Sequence, residues 1–598
     1  MGLTVGAAIL MISAAGWGSP PLPKPFAPVA VTEPTVRAPR PILKAGPPSA
    51  TAPGTRPAQP PPSSHSTGGA PGGGNATLEL HAPKPTPLMT LRQANLFMDN
   101  VARRESHAQA PGVMHDHETG LTFDGHAIDF ATGQLVGGPR NWSAPSKESL
   151  DITLLVKAVQ GDRVARLALS PSGKPEDAVP VAIERLTRKI ESYHDFDKRH
   201  PGFGGFLPWF TVAGEPGERH MEPMGDWGDR VPALDNGQLA WSLYHAATAL
   251  KDAGHPELAA KYQAHEKLMS KNVVRMFFDP VEKTLRAEAK MLEGASVVPK
   301  NNRYITNPDN KYYLNDNAEG LLMVHYADLF GKWKDVADVP GTHVSETAHT
   351  DNVKLTERAS VRDELWTIPR RSPATYVSGA GEKITTEARW RSSAHEDWGH
   401  TVLPFRDVAI ANRLFLNEQS VRTGFAAEGG RPGLYASTHL PQVGNAPPVY
   451  ENKMGIPAIG MKGTEAIPVY APYAAFPLAL ADKKIFGTWM KNMLDSPRTF
   501  GPNGIGESFN GNGKEIAPLL TWDGKALPLV AWSGGVTSEI RANLKRDGKY
   551  DRFISTVTAG YARFSTDTIG DHFPISVPTK ATPRGMSDFT AAKTLSAP

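Results

Sequence analysis

Tyr312-Tyr313-Leu314-Asn315-Asp316-Asn317-Ala318-Glu319-Gly320-Leu321-Leu322-Met323-Val324-His325-Tyr326 runs from an aromatic, amide-rich loop through one carboxylate into an unbroken apolar stretch. The stretch reads as a helix, and Asp316 to Glu319 has capping-box spacing: Asp316 would cap the helix and Glu319 would reach back to the cap's amide. A carboxylate at a helix mouth beside aromatic faces also suits carbohydrate chemistry, so Glu319 carries both a capping and a catalytic reading.

The same order of loop, carboxylate and apolar helix recurs, and the recurrence decides the fold reading. Gly204-Gly205-Phe206-Leu207-Pro208-Trp209-Phe210 precedes Arg230-Val231-Pro232-Ala233-Leu234-Asp235-Asn236-Gly237-Gln238, where Asp235 and Gln238 make a second capping box and Asp235 could bind a sugar hydroxyl or position water. Trp390-Arg391-Ser392-Ser393-Ala394-His395-Glu396-Asp397-Trp398-Gly399-His400 leads into Val402, Leu403 and Phe405. Here His395 and His400 stand five residues apart, a step of about 140° around a helix, so they do not share the face that a zinc-protease pair needs. No metal or cofactor is expected, and Glu396 reads as a polar group on a cleft floor. Gly501-Pro502-Asn503-Gly504-Ile505-Gly506-Glu507-Ser508-Phe509-Asn510 sets the fourth carboxylate, Glu507, in a glycine-rich turn with no Gly-Lys-Ser/Thr to mark a phosphate loop.

Helical periodicity places about a dozen helices: 88–107, 147–160, 176–194, 234–253, 256–278, 316–331, 396–416, 417–427, 469–483, 484–495, 535–545 and 550–563. Long loops over 202–233, 295–315, 333–390, 429–468 and 500–530 separate them, and loops of that length usually carry function. Alternating strand patterns are scarce and no fixed-period repeat is present. The pattern suits an all-α fold, an α/α toroid of helical hairpins with a cleft at one end; an irregular helical bundle is the alternative.

Composition sets the outer limits. The 598 residues are 40% hydrophobic, enough for a large core, and the formal charge of +3 from 64 basic and 61 acidic residues offers no field for nucleic acid or an anionic membrane. The absence of cysteine excludes disulfides and thiolate metal sites. Leu3 to Ala15 is apolar and ends in small residues, as a secretory signal does, although no basic residue precedes it; it is too short to span a bilayer comfortably. We therefore expect a signal peptide over 1–19, a Pro/Ala/Gly-rich disordered linker over 20–87, the toroid over 88–575 and a flexible tail over 576–598, in a secreted or periplasmic monomer with no other transmembrane span.

Glycoside hydrolysis needs two carboxyl groups in unlike environments, one protonated to assist the leaving oxygen and one ionised to activate water or attack carbon. Aromatic rings supply flat faces for sugars. Trp209, Tyr312, Trp398 and Tyr473 are therefore expected to contact the substrate, a polysaccharide or oligosaccharide, together with Asp235, Glu396 and Asp397.

The series of segments across 145–545 resembles the endo-β-1,2-glucanases of bacteria and the related glucoamylase-like domains, which fold as (α/α)6 toroids. Gly204 to Phe210 is similar to their Gly-Phe-Phe element, Leu234 to Leu239 to the Asp-bearing start of an inner helix, and Asn317 to Leu322 to the Asn/Ser-Glu-x-x-Leu-Leu segment that carries the acid. Ser393 to Glu396 with Leu403-Pro404, and Val469 to Ala475, resemble further elements, as does Gly504 to Asn510, with Glu507 where the family has Asp. The resemblance implies an inverting-type hydrolase of a β-glucan, most plausibly β-1,2-linked, with Glu319 as proton donor, Glu507 as base, and Asp235 and Glu396 holding sugars. A non-catalytic glycan-binding envelope protein and a toroid polysaccharide lyase are the alternatives.

Overall fold

Two kinds of helix make up the chain, and burial tells them apart. The computed structural model describes residues 86–170, 172–309, 312–314, 319–334, 371–564 and 573–590, all within one unit of contacts; the expected signal peptide and nearly all of the linker lie outside them. In chain order the helices are α1 (Leu91–Glu105), α2 (Pro145–Val159), α3 (Arg163–Leu169), α4 (Ala178–Arg199), α5 (Ala233–Asp252), α6 (Pro256–Phe277), α7 (Gly320–Phe330), α8 (Gly399–Val402), α9 (Ala409–Glu428), α10 (Phe476–Ala481), α11 (Lys483–Leu494), α12 (Trp522–Trp532), α13 (Thr537–Arg546) and α14 (Tyr550–Gly560).

Helices α2, α5, α7 and α12 are buried on nearly every side, as helices enclosed by others must be. With α9 and α10 they form the inner ring of an (α/α)6 toroid: α2 packs on α5, α5 on α7, α9 on α10, α10 on α12, and α12 back on α2. Between α7 and α9 the ring is bridged by Phe405, whose ring lies 5.4 Å from that of His325. The outer helices are amphipathic. In α4 the residues Ala182, Arg185, Leu186, Lys189, Ile190, Tyr193 and Phe196 fall on one buried stripe.

Short antiparallel strands feed the chain into the inner helices at one end of the ring. Arg230–Pro232, paired with Glu288–Met291, leads into α5, and Leu519–Thr521, paired with Gly125–Ile128, leads into α12. The approach at the second pair requires glycine, since a Cβ on Gly125 would lie 2.2 Å from the Leu520 carbonyl oxygen. Lys147, Asp235 and Asp523 thereby fall in the first turns of α2, α5 and α12, and Glu319 stands just before α7.

Several sequence expectations need correction. The helix expected over 396–416 is broken into a 3-10 turn (Ala394–Asp397), α8, a second turn (Phe405–Asp407) and the start of α9, because Pro404 interrupts it. The helix expected over 469–483 begins only at Phe476, after a strand and a 3-10 turn. Helix α12 lies inside a segment expected to be loop; Gly524 and the internal Pro528 masked its signal. Helix α3 was also missed, being only seven residues long. The tail expected to be flexible is laid against the body up to residue 590: Trp489 Nε1 donates to the Ser576 carbonyl at 2.7 Å, and Phe589 is buried against Gly133 and Gly501.

Candidate active site

Glu507 is buried, and both of its oxygens are occupied. Oε1 accepts from the Thr438 hydroxyl (2.8 Å), the His439 amide (3.2 Å) and His439 Nδ1 (3.1 Å), and Oε2 accepts from the Thr521 hydroxyl. Arg140 Nη1 lies 3.1 Å from His439 Nε2 and 3.3 Å from Asp124 Oδ2. A guanidinium can only donate, so Nε2 accepts and the imidazole hydrogen sits on Nδ1, where it is given to Glu507. Burial pushes the Glu507 carboxyl up, but the hydrogen bonds from His439 and from the Thr521 hydroxyl outweigh it and hold the group below the usual carboxylate range.

Asp523 was not singled out from the sequence. Its Oδ1 accepts from Lys147 Nζ at 2.9 Å, and Oδ2 lies 3.5 Å from His395 Nε2. Burial works upward on this carboxyl too, but the charge of Lys147, then the hydrogen bond and charge of His395, hold it well below its ordinary value. Lys147 also feels Asp124 and Asp235, and these charges raise its affinity for the proton despite burial. Lys147 thus offsets three carboxylates at the ring's mouth.

Glu319 lies on the same side. Gln238 Nε2, from the second turn of α5, donates to its Oε2 at 3.2 Å. The hydroxyl of Tyr450, in the strand Tyr450–Glu451, is pushed well up first by burial and then by the negative charges of Asp523, Glu507 and Glu319. One phenol therefore senses all three carboxylates, which converge from the start of α12, the turn before Phe509 and the mouth of α7. The ring of Tyr450 also packs edge-on against His439, with centroids 5.3 Å apart.

Of the two capping boxes expected here, the one opened by Asp316 falls on residues outside the described ones; Glu319 stands at the boundary of α7 in helical conformation. Asp235 is the third residue of α5, not its cap; it accepts from Trp209 Nε1 at 2.9 Å while Gln238 turns to Glu319. Burial, against hydrogen bonds from Ser146 and Trp209, raises the Asp235 carboxyl. Trp209 is the middle ring of a stack, 5.4 Å from Trp142 and 5.1 Å from Trp227, all three partly exposed.

The third junction is built differently. Glu396 does close a capping box: its Oε1 accepts from the amides of Ser393 (3.0 Å) and Arg391 (2.8 Å). Asp397, expected to contact sugar, is fully buried and accepts from Arg389 Nη1 at 2.6 Å and Gln419 Nε2 at 2.7 Å, with Arg422 at 3.8 Å. With Glu418 these groups form an ion cluster inside the protein, away from the cleft. Tyr473 is fully buried as well; its hydroxyl donates to the Ser437 carbonyl at 2.7 Å and its ring lies edge-on to His395, so it supports that imidazole and does not face a sugar. Trp398 is buried beside Gln238, and Tyr312 is half-buried against the core. His395 turns toward Asp523, whereas the ring of His400 lies among Phe405 and Phe415. Among the described residues, no group of three or more His, Asp or Glu side chains is placed to hold a metal ion.

The comparisons with known proteins agree with this architecture. The family model described as endo-β-1,2-glucanase SGL matches residues 121–593. The chain belongs to that family. It is a glycoside hydrolase of β-glucan. The endo-β-1,2-glucanase of Talaromyces funiculosus in complex with sophorose is 27% identical; the match covers 84% of this chain and 97% of that one, with a TM-score of 0.72. A glutamate-to-glutamine mutant of the same fungal enzyme, in complex with β-1,2-glucan, matches at 27% identity and a TM-score of 0.72, over 84% of this chain and 98% of that one. No curated protein matches the chain.

The residues that sequence reasoning missed, Lys147, Asp523, His439 and Tyr450, come from four distant segments. Only Asp523 had a local signal. Thr521-Trp522-Asp523 repeats the junction grammar, with Thr521 capping α12 through its hydroxyl to the Gly524 amide, but Gly524 and Pro528 concealed the helix that follows.

Proposed function

We propose that the protein cleaves β-1,2-linked glucan within the chain, with inversion, using Glu319 as the proton donor and Asp523 as the base. The convergence of Glu319 with two carboxylates held ionised, all sensed by Tyr450, carries this reading. Glu319 gives its proton to the glycosidic oxygen as the bond to the anomeric carbon breaks. Water forms the new bond from the opposite face and passes its proton to Asp523 directly or through a hydroxyl. Asp523 is preferred over Glu507 as base because four donors, from Thr438, His439 and Thr521, already point at Glu507, whereas Asp523 Oδ2 has only the 3.5 Å contact to His395. Glu507 then holds His439, and through it Tyr450, in place. Asp235, with the edge of the tryptophan stack, is suited to holding a glucosyl hydroxyl.

The ligands bound to the fungal enzyme, sophorose and β-1,2-glucan, support the linkage. The apolar run Leu3 to Ala15 supports export, and the protein is taken to act as a monomer. The test is to incubate linear β-1,2-glucan with the protein and its Glu319→Gln variant. The wild type is expected to release short oligosaccharides as the α-anomer first, and the variant to lose roughly 10³-fold in turnover with an unchanged circular dichroism spectrum. Full turnover by Glu319→Gln, or an initial β-anomer, overturns the mechanism.

A further inference from the structure

A small cavity lies beneath Glu319 among α2, α5, α8 and α12. Its free space of 10 Å³ for the centre of a water-sized sphere suits one water. Gln238 lines it and is itself 1% exposed. The Nε2 of Gln238 is given to Glu319, and its Oε1 is a buried acceptor without a protein partner. The hydroxyls of Ser149, Ser242 and Thr401 also line the cavity, but each donates to a carbonyl of its own segment: Ser146, Leu239 and Trp398, at 2.8, 2.8 and 2.7 Å. Toward the cavity they therefore offer lone pairs. A water there has two hydrogens to give, one to Gln238 Oε1 and one to a hydroxyl oxygen, and this satisfies the amide in only one of its two orientations.

We propose that Gln238, locked by one water in this cavity, is the positioning residue of the acid: its amide hydrogen occupies Oε2 of Glu319 and so confines the transferable proton to Oε1. This rests on Glu319 being the proton donor. The amide has a second effect. An N–H directed at a carboxylate favours the ionised form, and so sets the upper pH at which Glu319 still carries its proton. Groups that bear on Glu319 besides Gln238 include Tyr450, with Asp523 and Glu507 around the same phenol; Asp235 stands one turn before Gln238 on α5.

Two variants of similar volume test the inference in full-length protein with β-1,2-glucan as substrate. Gln238→Leu is expected to lower kcat about tenfold with KM within about twofold, and to move the alkaline limb of the kcat profile upward by about half to one pH unit, since the bond that stabilised the carboxylate is gone. Gln238→Glu places a like charge at the same point and moves the limb further up. An alkaline limb that stays put in both variants, in protein that retains its melting temperature, overturns the positioning role. Turnover by Glu319→Gln overturns instead the acid assignment beneath it, so the two failures are told apart.

Discussion

Two groups of carboxylates gather around helix starts in this protein, and they have opposite surroundings. At the ring's mouth, Glu319, Asp523 and Glu507 are held by an amide, a lysine, imidazoles and threonine hydroxyls. In the other, Glu396, Asp397 and Glu418 face Arg389 and Arg422 inside the protein, where Asp397 has no exposure. The sequence presents both as loop, carboxylate and helix. The difference teaches that one run of sequence leads either to carboxylates set among a lysine, imidazoles and hydroxyls or to carboxylates buried beside arginines, and that the partners brought by the fold decide which.

The contrast can be broken most forcefully at Asp523. Asp523→Asn removes the ionised oxygen and is expected to cut turnover by roughly 10²–10⁴-fold while Glu507→Gln costs less, which initial rates on β-1,2-glucan compare directly. Equal losses would return the base to Glu507. The buried group should answer in stability instead. Asp397→Asn leaves Arg389 without its close carboxylate partner in a buried site and is expected to cost about 3–5 kcal/mol, read from urea unfolding midpoints, with kcat of the folded fraction near wild type.

A smaller effect concerns pH. Burial, with help from Asp397 and Glu396 and against Arg389, pushes the Glu418 carboxyl up to about 7. A group that holds its proton more tightly when folded contributes stability that is fully present below its unfolded pKa, near 4.5, and is lost as pH rises toward 7. Glu418→Gln should flatten the decline in melting temperature between about pH 4.5 and 7; an unchanged slope would show that the proton resides elsewhere. The smallest expected effect is at Trp209→Phe, which keeps a stacked ring but loses the N–H given to Asp235. KM should rise about two- to fivefold with kcat nearly constant, in keeping with one hydrogen bond to a charged group partly replaced by water.

Much of the architecture was legible because it is written in local periodicity. The apolar stripes of α1, α4, α5, α6, α11, α13 and α14 gave their positions to within a few residues, and the recurring junctions pointed to one end of a ring. Glu319 and Asp235 were legible as carboxylates entering inner helices. The capping box expected at Asp235 was not realised, since a box depends on which partner is nearer in space, and Trp209 and Gln238's turn to Glu319 gave Asp235 another partner. Asp397 and Tyr473 read as cleft residues by proximity in sequence, yet each turns into the core.

By itself the sequence determined a helical ring, its repeated loop-to-helix entrances and the carboxylates placed at them, because helix formation and capping depend on neighbours a few residues apart. Only the tertiary structure decided which carboxylates share the cleft. Lys147 and Asp523 are 376 residues apart and Glu507 and His439 are 68 apart, and the partners that keep each carboxylate ionised arrive from other segments of the chain. Ionisation is set by distance in space, and no spacing along the chain records it.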